Sequence, residues 1–84
     1  GSIDFQTQYG KTPLGVATVA KKYNKPVVAL AGRVGDDIDI LYEKGIDSIF
    51  GIMRGVTTID EALKNGKENI ERTSENIARL MEML

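Results

Sequence analysis

Residues 26–32 of the chain are Pro-Val-Val-Ala-Leu-Ala-Gly, an unbroken apolar run between a proline and a glycine. Such a run predicts a strand that is covered on both faces, as strands are in a parallel sheet. A second short apolar run, Ile49 to Met53, stops at Arg54 and Gly55 and predicts another strand of the same kind. The two runs therefore indicate an α/β fold.

Helical patterns flank and separate the two strands. The first helix is predicted over residues 12–24, where a threonine and a proline open an apolar pattern at helical spacing. The second is expected to begin at Asp36 and Asp37 and to close at Gly45, a residue suited to a left-handed C-terminal position. The third is predicted over residues 58–84, opened by a threonine and a glutamate at capping-box spacing.

The predicted order is loop, helix, strand, helix, strand and long helix, which indicates a partial parallel, Rossmann-like sheet. Two parallel strands leave unpaired edges and form a sheet too small to stand alone. A strand is expected to lead into the first loop, and the sequence starts at Gly1 without one. We therefore expect residues 1–84 to be a segment of one α/β domain, with no second domain. Its strand edges are expected to pair with the remainder of a parent chain or with copies of itself.

Composition excludes several classes of function. The 84 residues include 11 basic and 12 acidic side chains, with a formal net charge of −1 and no basic patch, so we expect no nucleic-acid binding. Because histidine and cysteine are both absent, imidazole bases, thiol nucleophiles and disulfides are excluded. The longest apolar run is too short to cross a membrane and no charged leader precedes it, so we expect a cytoplasmic location and no membrane partner.

The loops that follow strand ends are the expected place for chemistry, because helix N-termini point their amides there. These loops are residues 1–12, 32–37 and 54–58. The two glycines of the second loop would let the backbone approach an anion, but Asp36 and Asp37 would repel a phosphate, so a tight turn is the favoured interpretation. In the third loop an arginine is available to bind an anion, although an ordinary strand-to-helix turn also explains its residues.

The first loop is the richest in polar side chains. Asp4 is either a loop cap or a catalytic carboxylate, and Lys11 is either a solvated lysine or a point charge for a phosphate or carboxylate group. Gln6 and Thr7 are either turn residues or ligands of a substrate. A phosphate-binding motif that includes Lys11 is rejected, because Phe5 stands where that motif requires its first glycine.

A family resemblance extends along the chain. Residues 1–17, Gly-Ser-Ile-Asp-Phe-Gln-Thr-Gln-Tyr-Gly-Lys-Thr-Pro-Leu-Gly-Val-Ala, closely resemble the signature of the bacterial-type glycerate kinases, G-[RS]-I-D-x-Q-T-x-x-G-K-x-P-x-G-V-A. Residues 26–32, 45–50 and 61–79 are similar, in the same order, to the C-terminal region of that family. The resemblance covers essentially the whole chain but only the last part of a typical member, which implies a C-terminal segment.

The resemblance implies a reaction and a set of site residues. Glycerate kinases transfer the γ-phosphoryl group of ATP to a hydroxyl of D-glycerate, with magnesium, and their active site lies between two α/β domains. On the matched signature, Asp4 and Lys11 become the candidate catalytic residues, and Gln6 and Thr7 the candidate substrate-binding residues. Asp4 is also the candidate magnesium ligand. Ser2 stands where many relatives have arginine, so a phosphate clamp from that arginine is not expected here.

Two other classes of function stay open. One is a small α/β binding module that functions alone, although the predicted sheet is too incomplete for such a module. The other is a catalytically inert truncated fragment. We expect the isolated 84-residue chain to be inactive even if its parent is a kinase, because most of the ATP and substrate pocket would lie elsewhere.

Overall fold

The computed structural model describes residues 2–53 and 58–84. The chain forms two compact units, Gly1–Gly51 and Ile52–Leu84. The first unit contains strands β1 (Ser2–Ile3), β2 (Val28–Ala31), β3 (Arg33–Val34) and β4 (Ser48–Gly51), a 3₁₀ helix (Phe5–Tyr9), and helices α1 (Lys11–Lys22) and α2 (Asp39–Glu43). The second unit contains helix α3 (Ile59–Glu82). Arg54 and Gly55, which were expected to end the second strand, lie outside the described residues.

The strands pair in parallel, as the apolar runs predict. β2 pairs with β4, with Val28 opposite Ser48. A second parallel pair joins β1 to β3, with Ile3 opposite Val34. The α/β class and the partial parallel, Rossmann-like sheet are therefore confirmed.

Two expectations about the strands are wrong. The strand that was expected to be missing before the first loop is β1, which lies within the chain, and the second loop, residues 32–37, contains β3. Each of these strands is 2 residues long, so neither carries a periodic pattern. They form because their backbones pair with each other across a long stretch of sequence, which no local pattern records.

The core of the first unit is small. Among the residues that the structure describes, the buried hydrophobic ones are Ile3, Ala17, Leu41 and Ile46. Partly buried hydrophobic residues pack against them: Leu14, Val27, Ala29, Ala31, Val34, Ile38, Ile40 and Ile49. Val28 of β2 and Phe50 of β4 are 36% and 38% exposed, so the two strands, which were predicted to be buried on both faces, are buried only in part.

The two helices of the first unit end in left-handed residues. Gly45, after α2, has a φ of 109° and donates its N–H to the Tyr42 carbonyl oxygen at 3.2 Å. The Ile46 N–H donates to the Leu41 carbonyl oxygen at 3.1 Å, which completes a Schellman motif between two core residues. The prediction that Gly45 closes the second helix is confirmed. Asn24, after α1, has a φ of 56° and occupies the equivalent position.

The helix starts differ from the prediction. α1 begins at Lys11, so Pro13 lies within its first turn and not at its first position. α2 begins at Asp39, so Asp36 and Asp37 precede the helix and do not cap it. Asp37 has a φ of 56°, which is not a right-handed helical conformation, so α2 begins only after Asp37.

Helix α3 has the predicted capping box, in which the side chains and backbones of Thr58 and Glu61 bond reciprocally. Its described residues include none that is buried. Ion pairs link successive turns, among them Glu68 with Arg72 at 2.7 Å and Glu75 with Arg79 at 2.9 Å. In the ranges that the structure describes, we find no helix long and apolar enough to span a membrane.

Candidate functional site

Two loops begin side by side where β1 and β3 end. Because the two strands are parallel, their carboxyl ends lie at the same edge of the pair. β1 continues into Asp4 and the 3₁₀ helix, and β3 continues into Gly35, whose N–H donates to the Ile3 carbonyl oxygen at 2.7 Å. The first loop, which carries the candidate site residues, therefore starts next to the second.

Asp4 is the N-cap of the 3₁₀ helix and is held by both its backbone and its side chain. Its Oδ1 accepts a hydrogen bond from the Gln6 N–H at 2.8 Å, and its own N–H donates to Thr7 Oγ1 at 3.2 Å. The Thr7 N–H also donates to the Asp4 carbonyl oxygen at 3.0 Å. The loop-cap interpretation of Asp4 is therefore correct, and the same bonds orient its half-buried side chain at the end of β1.

Gln6 and Thr7 are brought to Asp4 by this capping box. Thr7 is half-buried, and its hydroxyl oxygen accepts from the Asp4 N–H, although a hydroxyl keeps its own hydrogen to donate. Gln6 bonds to Asp4 through its backbone, and the residue is exposed. Thr7 thus supports Asp4, while the substrate-binding roles of Gln6 and Thr7 stay predictions.

The N-terminus of α1 is suited to an anion. Lys11 is its exposed first residue, and the N-cap, Gly10, has no side chain with which to cap the N–H groups of the first turn. A positive charge at the positive end of a helix generally costs about 0.3–1 kcal/mol, and a bound anion reverses that cost. Among the described residues, no acidic side chain forms an ion pair with Lys11. A phosphate or carboxylate group would supply the missing negative charge.

Asp4 is a candidate ligand for a cation at this edge. The described residues contain no group of three or more acidic side chains placed to hold a metal ion. Magnesium in nucleotide sites is usually held by one or two carboxylates together with phosphate oxygens, so a single carboxylate fits that mode. Asp36 and Asp37 follow Gly35 in the adjoining loop.

An ion pair at the other end of β2 and β4 was not predicted. The Asp47 carboxylate pairs with Lys21 of α1 and accepts a hydrogen bond from the Val27 N–H at 2.7 Å. The hydrogen bond from Lys21, and then that from Val27, lower the pKa of Asp47 below its usual value. The partners lie 26 residues apart, so no local pattern could have indicated the pair. It joins α1 to the residues that precede the strands, away from the candidate site.

Comparison with known proteins gives a consistent result. Residues 1–82 match the glycerate kinase family. The chain is 47% identical over 78 residues to a glycerate 2-kinase of Escherichia coli, a match that covers 93% of this chain and 20% of that protein. It is 50% identical over 78 residues to a glycerate kinase of Bacillus cereus, again covering 93% and 20%. A glycerate kinase of Haemophilus influenzae is 43% identical over 81 residues, covering 96% and 21%. The chain spans about a fifth of the length of these relatives.

Proposed function

The chain belongs to the glycerate kinase family, and from this premise we propose that it supplies part of the active site of an ATP-dependent glycerate kinase. The intact protein would transfer the γ-phosphoryl group of ATP to a hydroxyl of D-glycerate, giving phosphoglycerate and ADP. Because the chain spans about a fifth of its curated relatives, we assign the remaining ATP and substrate contacts to the rest of such a protein.

The observation that carries the proposal is the placement of Asp4 and Lys11 at the starts of two consecutive helices, the 3₁₀ helix and α1. Asp4 caps the 3₁₀ helix. The Gly10 N–H donates to the Thr7 carbonyl oxygen at 2.9 Å at the end of that helix, and the next residue, Lys11, begins α1. A carboxylate and an ammonium group are thus tied to one hydrogen-bonded loop that follows a parallel strand. Phosphoryl transfer depends mainly on positioning and on neutralising charge, and these groups offer a proton acceptor and a positive charge.

Each candidate residue has a role in the proposed reaction. The glycerate hydroxyl oxygen bonds to the γ-phosphorus as the bond from that phosphorus to the bridging oxygen of ADP breaks. Asp4 would orient the hydroxyl and accept its proton. Lys11 and the first-turn amides of α1 would neutralise charge on the phosphoryl group or on the glycerate carboxylate. Gln6 and Thr7 would hold the substrate by hydrogen bonds.

We propose that magnesium is bound together with ATP in this reaction. Asp4 is the residue of the first loop that would hold the ion, since hard oxygen ligands suit magnesium. When bound, the ion neutralises charge on phosphate oxygens. The capping box would hold the Asp4 carboxylate in place for either role, contact with the ion or with the glycerate hydroxyl.

Lys11 offers a test in which activity should fall without a loss of stability. In the intact protein we expect Lys11→Ala to lower glycerate-dependent ADP formation by about 10²–10³-fold, as when one preorganised contact to the reacting charge is removed. The free energy of unfolding should rise or stay unchanged, because the variant removes a positive charge from the positive end of α1. A coupled ADP assay and urea denaturation measure the two quantities.

Lys22, in the last turn of the same helix, is the matched control. Lys22→Ala should lower the free energy of unfolding slightly, because it removes a favourable charge at the negative end, and should leave ADP formation unchanged. Normal turnover in Lys11→Ala would contradict the role of Lys11. ADP formation by the unmodified protein that does not depend on glycerate would contradict the proposed reaction itself.

A further inference from the structure

We propose that Gly35 is a positioning residue for Asp4, because the absence of a side chain at Gly35 leaves the space that the Asp4 side chain occupies. The inference rests on the proposed function, in which Asp4 acts on the substrate. Gly35 lies in the second loop, whose sequence favours a tight turn.

The backbone of Gly35 is bonded to the first loop. Its N–H donates to the Ile3 carbonyl oxygen at 2.7 Å, one residue beyond the pairing of Ile3 with Val34. This bond places Gly35 beside Asp4, which directly follows Ile3. A Cβ built on Gly35 would lie 3.0 Å from the Cβ of Asp4. Contacting carbon atoms usually lie about 3.5–4.0 Å apart, so a side chain at Gly35 would displace Asp4.

The steric conflict concerns Asp4 and little else. The other atoms near the added Cβ are the Ile3 carbonyl oxygen at 3.5 Å and the Asp4 Cα at 3.9 Å, which are ordinary contact distances. Among the described glycines, the one with a positive φ is Gly45, so alanine can adopt the backbone conformation of Gly35. The substitution Gly35→Ala is therefore a probe of one contact.

Asp4 is also held by the capping box. The Gln6 N–H and the Thr7 hydroxyl oxygen bond to its side chain and backbone, so a displacement of Asp4 by a side chain at Gly35 would disturb these bonds. A displacement of about 1 Å in a reacting group can lower the rate about 10²-fold. The smaller displacement expected here should lower kcat by roughly tenfold.

The test is a double-mutant cycle in the intact protein, with kcat and KM of glycerate-dependent ADP formation as readouts. We expect Gly35→Ala to lower kcat roughly tenfold when Asp4 is present and to add little when Asp4→Asn has already removed the carboxylate. Gly66→Ala is the matched control, because a Cβ added at this α3 glycine meets no described atom within 4 Å. Its kcat should equal that of the unmodified protein.

Each outcome decides a different point. A normal kcat in Gly35→Ala, or an equal loss with and without the Asp4 carboxylate, overturns the positioning role alone. A normal kcat in Asp4→Asn contradicts the proposed function, and the positioning role with it. If Gly35→Ala fails to fold, adding Asp4→Gly should restore folding by removing the Asp4 Cβ, and failure to restore it overturns the inferred contact.

Discussion

At Asp4 local stability accepts more than one residue, and at Lys11 it favours a different residue. The cap of the 3₁₀ helix needs an acceptor, which asparagine supplies as well as aspartate does. The first position of α1 favours a neutral or acidic residue over a lysine. A departure from local preference is expected at a functional position, so Lys11 fits a role that depends on its charge. At Asp4 such a role would distinguish aspartate from an asparagine that caps equally well.

The Lys21–Asp47 pair leads to a prediction about pH. The folded-state pKa of Asp47 lies below 3.8, the ordinary value of an aspartate, so the stability that the pair contributes is present above that value and is lost as pH falls through the folded pKa. We expect Asp47→Asn to flatten the fall in the free energy of unfolding of the intact protein between about pH 5 and pH 2. Urea denaturation at each pH measures this.

Glu71→Gln is the control for that experiment, because Glu71 forms a more exposed pair with Lys67 at 4.0 Å. This variant should follow the pH dependence of the unmodified protein closely, since exposed pairs contribute little. Parallel curves for Asp47→Asn and the unmodified protein would contradict the stabilising role of the Lys21–Asp47 pair.

At the scale of elements, the sequence predicts helix caps and ends, whose partners lie within one turn of the chain. It does not predict strands that form only by pairing with residues far away in the sequence. The closing role of Gly45 and the capping box at Thr58 were predictable because their partners lie within a few residues. β1 and β3 were not, because each exists only by pairing with the other. The start of α1 was misplaced because the preceding 3₁₀ helix, which the sequence did not indicate, ends at Tyr9.

The same distinction between local and distant contacts applies to the candidate site. Its residues could be named because they lie together on one loop and match a family signature. The contact of Gly35 with Asp4 could not be predicted, because it depends on the pairing of β1 with β3. The Thr7 hydroxyl bond to the Asp4 N–H was also missed, although a polar residue three positions after a cap is a signal that could have found it.

The end of α2 gives a prediction at this scale. Gly45 has a φ of 109°, where a residue with a Cβ is strained, so Gly45→Ala should lower the free energy of unfolding of the intact protein by about 1–2 kcal/mol. Gly66→Ala, in the interior of α3, should raise it by about 0.5–1 kcal/mol, because alanine favours the helix. Urea denaturation compares the two. Changes of the same sign would contradict the left-handed closure of α2.

At the scale of the whole molecule, the described residues include more large hydrophobic side chains that are exposed than hydrophobic side chains that are buried. Val16 and Val19 of α1 and Tyr23, its C-cap, are 58%, 58% and 64% exposed. The chain also spans about a fifth of its curated relatives. That its strand edges pair with the remainder of a parent chain or with copies of itself stays a prediction, as does the inactivity of the isolated chain.

The central claim is that the Asp4 charge serves phosphoryl transfer, and the most direct test is kcat for glycerate-dependent ADP formation by the intact protein carrying Asp4→Asn. The asparagine oxygen can still accept from the Gln6 N–H, so the cap and the melting temperature should be retained. Asp4→Ala, which also loses the cap, is the companion variant and should lower stability by about 1 kcal/mol. We expect kcat of Asp4→Asn to fall by about 10²–10⁴-fold. A stable Asp4→Asn protein with normal kcat would contradict the central claim.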